Sequence, residues 1–174
     1  KNKKHVVTAN KALIAKYGDQ LAEIAEKNKV NLEFEAAVCG GVPIIRSLKE
    51  SLIANKITKI YGILNGTSNY ILSSMDKQNK SFENVLSDAK KLGYAESNPS
   101  ADLNGDDVSA KIKILTSLCF DSFLNHNIYV EGINHIDKRD IDNANKLGYK
   151  IKLLGYAETF NNKWDNLKFQ NSLP

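Results

Sequence analysis

Apolar and polar residues change period several times along this 174-residue chain, and the changes predict alternating strands and helices. "HVVTA" (5–9) is a short strand-like run, after which Leu13, Tyr17, Leu21 and Ile24 recur on one helical face over 10–28. "VNLEFEAAV" (30–38) reads as a second strand, so the order is strand, helix, strand, as in a parallel crossover. A glycine turn, "CGGVP" (39–43), leads into a helix over 43–54 with Pro43 in its first turn. "KITKIYGIL" (56–64) is strand-like and runs through "NGTSN" (65–69) into a helix that reaches Met75. Ser81 is placed to cap a helix over 82–92, Phe82, Val85, Leu86, Ala89 and Leu92 face inward, and Gly93 ends it. The next helix, over 107–119, carries Val108, Ile112, Leu115 and Cys119 as its apolar stripe. "NIYVEGI" (127–133) reads as a strand, Asp137 as the cap of a helix ending at Gly148, and "YKIKLLGYAE" (149–158) with "NLKFQ" (166–170) as a hairpin. Strands alternating with helices make the class α/β (α+β).

Composition narrows the function more than the fold. A chain that is 42% hydrophobic and 25% charged is ordinary for a soluble globular protein. No apolar run approaches the ~20 residues of a membrane span, and there is no signal-peptide pattern. The net charge of +4 comes from scattered lysines rather than a focused stripe, which argues against nucleic acid as a partner. Cys39 and Cys119 are too few for a disulfide framework, which points to the cytoplasm. His5, His126 and His135 have no metal-like spacing. The chain starts at Lys1 and its one methionine is Met75, so it is expected to begin partway through a longer protein.

Candidate chemistry gathers in "GYAESNPSADLNGDDVSAK" (93–111), where Glu96, Asp102, Asp106 and Asp107 precede Lys111. One use of these acids is helix capping: Asp107 would lie in a first helical turn and pair with Lys111 at i,i+4. A calcium loop fails, because glycine stands at the fourth position and Lys113 at the twelfth. A third use is a cage for a substrate's ammonium group, with Lys111 at its edge as proton donor or acceptor. The residues alone leave the capping and cage uses open. "NGTSN" adds backbone N–H groups at Gly66 and Thr67 that could hold a carboxylate at a helix start. "TANKALI" (8–14) puts Asn10 and Lys11 at the carboxyl end of a strand, where α/β sheets keep their ligands. The second "GYAE" (155–158) lies in an alternating run with no acidic loop behind it and reads as sheet.

Five stretches taken in order resemble the homoserine dehydrogenase family: "VVTANKALIA" (6–15), "FEAAVCGGVPIIRSLKESL" (34–52), "GILNGTSNYIL" (62–72), "LGYAESNPSADLNGDDVSAKIKIL" (92–115) and "VEGINHI" (130–136). The resemblance implies an oxidoreductase interconverting L-aspartate 4-semialdehyde and L-homoserine with NADP or NAD, in threonine and methionine biosynthesis. It implies Lys111 as the catalytic proton donor and Lys11 as the second lysine near the reacting oxygen. It also implies Glu96, Asp102, Asp107, Thr67, Tyr94 and Gly66 as substrate contacts, and Gly93, Asn10 and Lys11 as cofactor contacts. Glu35 and the carbonyls of Val38, Gly40 and Val42 match a monovalent-cation site, sodium by the resemblance, and the expected assembly is a homodimer.

Asn98 and Cys39 depart from the family pattern, standing where aspartate and glycine are common. No GxGxxG turn is present among the ten glycines. The expectation is therefore a remnant of a Rossmann-type nucleotide-binding domain over 1–38, then a catalytic and dimerisation domain over 39–174 with a mixed sheet covered by helices. Such a truncated chain is expected to be inactive alone. The alternative is a non-catalytic dimerising or small-ligand-binding module on the same scaffold.

Overall fold

The computed structural model describes residues 2–120, 128–159 and 172–173. In chain order the elements are β1 (Val6–Val7), α1 (Lys11–Lys27), β2 (Leu32–Glu33), a 3₁₀ turn (Glu35–Ala37), α2 (Ile44–Arg46) continued by a wide π-turn (Ser47–Ser51), and β3 (Lys59–Gly62). Then follow α3 (Gly66–Gln78), α4 (Phe82–Lys91), α5 (Ser100–Leu103), α6 (Asp106–Cys119), α7 (Lys138–Lys146), β4 (Lys150–Ile151), β5 (Gly155–Glu158) and β6 (Ser172–Leu173). The class is mixed α/β, as the alternation predicts. Among the described residues the strands form three two-stranded sheets rather than one mixed sheet.

The chain separates into two compact units: Lys1–Ile60 with Ala110–Asn127, and Tyr61–Ser109 with Ile128–Pro174. In the first, β1 runs parallel to β2 with Val6 opposite Leu32, and α1 is the crossover between them. The predicted parallel crossover is thus present. Asn10 caps α1, its Oδ1 accepting from the Leu13 N–H at 3.0 Å. The apolar stripe of α1 does not enter the core. Ile14 is its buried residue, while Leu13, Leu21 and Ile24 line an open groove of about 450 Å³ with Val6, Val30 and Leu32. The predicted strand over 30–38 stops at Glu33, because the chain curls into the 3₁₀ turn that carries Glu35. The predicted helix over 43–54 is shortened to helical turns between Ile44 and Ser51. Val38, Ile45, Ile112, Ile114 and Leu115 are among the buried apolar residues of this unit.

In the second unit α3 packs on α4, burying Ile71, Leu72 and Met75 with Val85 and Ala89. Each such side chain removed from water is worth about 1.5–3 kcal/mol, less for alanine. Ser81 caps α4 as predicted, its Oγ accepting from the Asn84 N–H at 3.4 Å. Leu92 corrects the expected inward face: the helix ends at Lys91, Gly93 turns the chain at φ +77°, and Leu92 is 64% exposed. Asp137 and Asp140 make a reciprocal capping box at the start of α7, and Gly148 closes its far end at φ +81°. The run 149–158 is two strands, not one. β4 pairs antiparallel with β6, and β5, the second "GYAE", is sheet as expected. The predicted partner run 166–170 lies outside the described residues.

Residues 128–133 are not a strand, which corrects the expectation for "NIYVEGI". Backbone contact dictates their path instead. The Ile133 N–H donates to the Leu103 carbonyl at 2.8 Å, and Asn134 Nδ2 donates to Asn104 Oδ1 at 2.6 Å. A Cβ at Gly132 would stand 2.2 Å from the Leu103 oxygen and 2.7 Å from Asn104 Cα, so only glycine fits there. The alternation of Ile128, Val130 and Gly132 looks like a pleat but serves this close approach.

Candidate active site

The acidic loop of the second unit is organised by Asn65, which is 5% exposed. Asn65 is the N-cap of α3: its Oδ1 accepts from the Ser68 N–H at 2.8 Å. The amide nitrogen faces the other way. Nδ2 donates to Asp102 Oδ1 at 2.7 Å and to Asp107 Oδ2 at 2.9 Å. Both protons of one amide are therefore spent on two carboxylates, one from α5 and one from α6. Asp107 is 6% exposed and lies in the first turn of α6, where the helix dipole favours an anion. Both the capping use and the clustering of acids exist at once: Asp107 is in the first turn and also held beside Asp102.

The rest of the loop is tied down around this pair. Ser68 Oγ donates to the Asp102 backbone carbonyl at 2.8 Å. Thr67 Oγ1 donates to the Tyr94 carbonyl at 2.8 Å, and the Tyr94 ring stacks on Tyr70 with centroids 4.5 Å apart. Asn98 Oδ1 accepts from the N–H and hydroxyl of Ser100, which fixes this turn. Gly105, at φ +87°, sits under Val130 and Glu131, where a Cβ would come within 3.1 Å of Val130 Cγ1. Glu96 is exposed on the rim of the loop, as are Gly66 at the start of α3 and Gly93 at the end of α4.

Of the predicted residues, Thr67, Tyr94, Asp102 and Asp107 are brought together within this unit, with Glu96, Gly66 and Gly93 on the surrounding turns. Lys111 stands one turn beyond Asp107 on α6, half-buried, and the boundary between the units falls between them. Lys11, also half-buried, opens α1 in the first unit directly after its cap Asn10. Sequence reasoning missed Asn65, Ser68 and Gly132. For Asn65 the signal was partial: Asn before Gly-Thr announces a helix cap, but nothing local announces that its other end reaches residues 37 and 42 positions away.

The proposed cation corner lies in the first unit. Glu35 Oε1 accepts from the Ile45 N–H at 3.0 Å and Oε2 from the Arg46 N–H at 2.8 Å, which caps α2 with a carboxylate. Cys39 at φ +51° and Gly41 at φ +85° curl the segment 38–42, and the Val42 carbonyl already accepts from Ile44 N–H at 2.8 Å. A carboxylate and carbonyls keep further lone pairs under such bonds. Cys119 is half-buried, and that burial pushes its thiol up to about 11. Among the described residues no cluster of three His, Cys, Asp or Glu side chains could hold a metal, and no helix is long and apolar enough to cross a membrane.

Comparison with known proteins points the same way as these residues. Residues 43–171 match the family model for homoserine dehydrogenase. The chain is 52% identical over 155 residues to a homoserine dehydrogenase of Neisseria gonorrhoeae, covering 88% of this chain and 36% of the relative. It is 45% identical over 159 residues to the Bacillus subtilis enzyme, covering 91% of this chain and 37% of the relative. The crystal structure of a homoserine dehydrogenase from Thiobacillus denitrificans superposes with a TM-score of 0.87 at 46% identity over 91% of this chain and 37% of that one. A hyperthermophilic archaeal homoserine dehydrogenase in complex with NADPH gives a TM-score of 0.76 at 31% identity, covering 89% of this chain and 45% of that one. The chain thus spans little more than a third of the length of the curated relatives it matches.

Proposed function

The chain belongs to the homoserine dehydrogenase family, and we propose that it supplies the substrate-binding and proton-transfer part of an enzyme interconverting L-aspartate 4-semialdehyde and L-homoserine. The observation that carries the reading is the pair Asp102 and Asp107 gathered on one buried amide. Two carboxylates held side by side form a receptor for an ammonium group, and both substrates carry one. Glu96 on the rim, Thr67 and Tyr94 complete the contacts, and Gly66 offers its backbone N–H to the substrate carboxylate at the α3 N-terminus.

Bound NADP or NAD supplies or accepts the hydride at the substrate's C4 carbon. Lys111 gives a proton to the oxygen of the nascent alkoxide in the reductive direction and takes it back in the oxidative one, and Lys11 polarises the same oxygen. Gly93, whose backbone is open and without a side chain, fits close approach by a cofactor, and Asn10 stands with Lys11 at the end of β1. Glu35, with the carbonyls of Val38, Gly40 and Val42, would hold sodium and fix the turn between β2 and α2. The division at residues 38 and 39, the homodimer, the cytoplasmic setting and inactivity of this chain alone belong to the same proposal. The NADPH complex of the archaeal relative supports NADP as the cofactor.

The test is Lys111→Ala in the complete enzyme. Turnover should fall by about a thousandfold while the KM for L-homoserine changes little. Unchanged turnover removes Lys111 from the chemistry. A complete enzyme with no nicotinamide-dependent oxidation of homoserine removes the reading and leaves the binding-module alternative.

A further inference from the structure

We propose that Asn65 is the positioning residue that sets amino-acid recognition, fixing Asp102 and Asp107 at the spacing an ammonium group requires. The inference rests on the reading above and adds a residue with no role in it.

Three features single Asn65 out. It is buried, so its hydrogen bonds do not exchange readily with water. Its amide is fully committed: Oδ1 holds the α3 N-terminus at Ser68, and Nδ2 holds one carboxylate on α5 and one on α6. The three elements therefore meet at a single side chain, and the positions of the two acids are set relative to α3 rather than by their own loop. The bonds are also chemically directional. Only an NH₂ group offers two donors to two carboxylate acceptors while its oxygen accepts a third bond.

The second anchors agree in direction. Ser68 Oγ holds the Asp102 carbonyl, and the Gly132 backbone presses on Leu103 and Asn104 at the end of α5. These contacts fix the main chain of α5 and leave the Asp102 carboxylate to be aimed by Asn65. A neutral donor adds no cation of its own, so it aligns the acids without competing for their charge.

Asn65→Asp isolates this role. The new carboxylate keeps an oxygen to accept from Ser68 N–H and is itself a good helix cap, so α3 retains its start. It replaces the double donor by an acceptor, which turns the clamp into a repulsion. In the complete enzyme the KM for L-homoserine should rise about tenfold or more, while kcat falls less than about threefold. The Ki of 4-hydroxybutanoate, the same molecule without its amino group, should stay within about twofold. A merely structural role would weaken both compounds together and lower the melting temperature. Asn65→Ser, which keeps a cap oxygen but cannot reach both acids, should give the same split if Asn65→Asp fails to fold. An unchanged homoserine KM, or equal losses for homoserine and 4-hydroxybutanoate, overturns the clamp. Absence of homoserine oxidation in the unsubstituted enzyme overturns the underlying reading instead.

Discussion

The two units treat the apolar stripes of their helices differently. In the second unit α3 and α4 close on each other, and Ile71 and Ala89 are both at 0% exposure. In the first unit Val7 is 84% exposed, Ile53 77% and Ile24 56%, and the stripe of α1 opens on a groove. A two-stranded parallel ribbon with one crossover helix is not a stable arrangement by itself, because parallel sheets are ordinarily covered on both faces. The unit that carries the carboxylates has a core of its own. The unit that carries Lys11 and the cation corner leaves apolar surface that the described residues do not cover. The Asp102–Asp107 pair therefore stands on local packing, whereas Lys11 stands beside apolar surface that is still open.

This contrast can be broken most directly in the second core. Ile71→Ala should cost about 4 kcal/mol, read as a shift of the urea midpoint, since a fully buried side chain is lost and helix packing relaxes poorly. A loss below 1 kcal/mol would mean that α3 and α4 are looser than their burial indicates. Gly132→Ala should follow at about 3 kcal/mol, because the added methyl meets main-chain atoms at Leu103 and Asn104 that cannot swing aside. Its effect should fall on the second unit and be visible as loss of protection of the amides in α5 by hydrogen exchange.

Acid should act on the same unit with a smaller effect. Lys150, aided by Asn145, holds the Asp76 carboxyl below the usual carboxylate range. Lys80 does so for Asp88, and the Asp140 N–H, with Arg139, for Asp137. A carboxylate depressed in the folded state contributes stability above its unfolded value of about 4 and loses it as pH falls through the folded value. The second unit should therefore lose helical signal progressively below about pH 4, and Asp76→Asn should flatten that loss. At the small end, Val7→Thr on the exposed ribbon should change the stability of the 174-residue chain by less than about 0.5 kcal/mol. A hydrophobic dye that fluoresces on apolar surface should report the groove in the unsubstituted chain and dim when Ile24 is replaced by Lys.

The helices with local punctuation were the most legible part of the sequence. Ser81 and Gly93 bracket α4, and Asp137 and Gly148 bracket α7, because caps act within a turn of where they stand. Leu92 failed for the same reason: its period placed it inward, but the helix had already ended. The extended stretches were less legible, because Glu35 and Gly132 answer to partners distant in sequence. Within the site, the acids and Lys111 were visible as a pattern, and the resemblance gave them roles. Asn65 was invisible as a clamp, since a cap and a clamp use the two ends of one amide and only the cap is local.

The clamp also has a chemical lifetime. Asn65 precedes Gly66, and in a flexible chain the glycine nitrogen attacks the asparagine Cγ, expels ammonia and leaves aspartate or isoaspartate after hydrolysis. In the folded protein both ends of the Asn65 amide are engaged and the backbone is held in a helix cap, so the attack geometry is denied. Each excursion to the unfolded state reopens it. The aspartate product carries an acceptor where the Asp102 and Asp107 carboxylates meet a donor, so a molecule that refolds with it would lose the clamp, and isoaspartate, with an extra backbone methylene, would disturb the α3 cap as well. Peptide mapping of chain aged in and out of denaturant should find aspartate or isoaspartate at residue 65 only when the fold is open, whereas the second Asn-Gly pair, Asn104–Gly105, starts from an exposed asparagine.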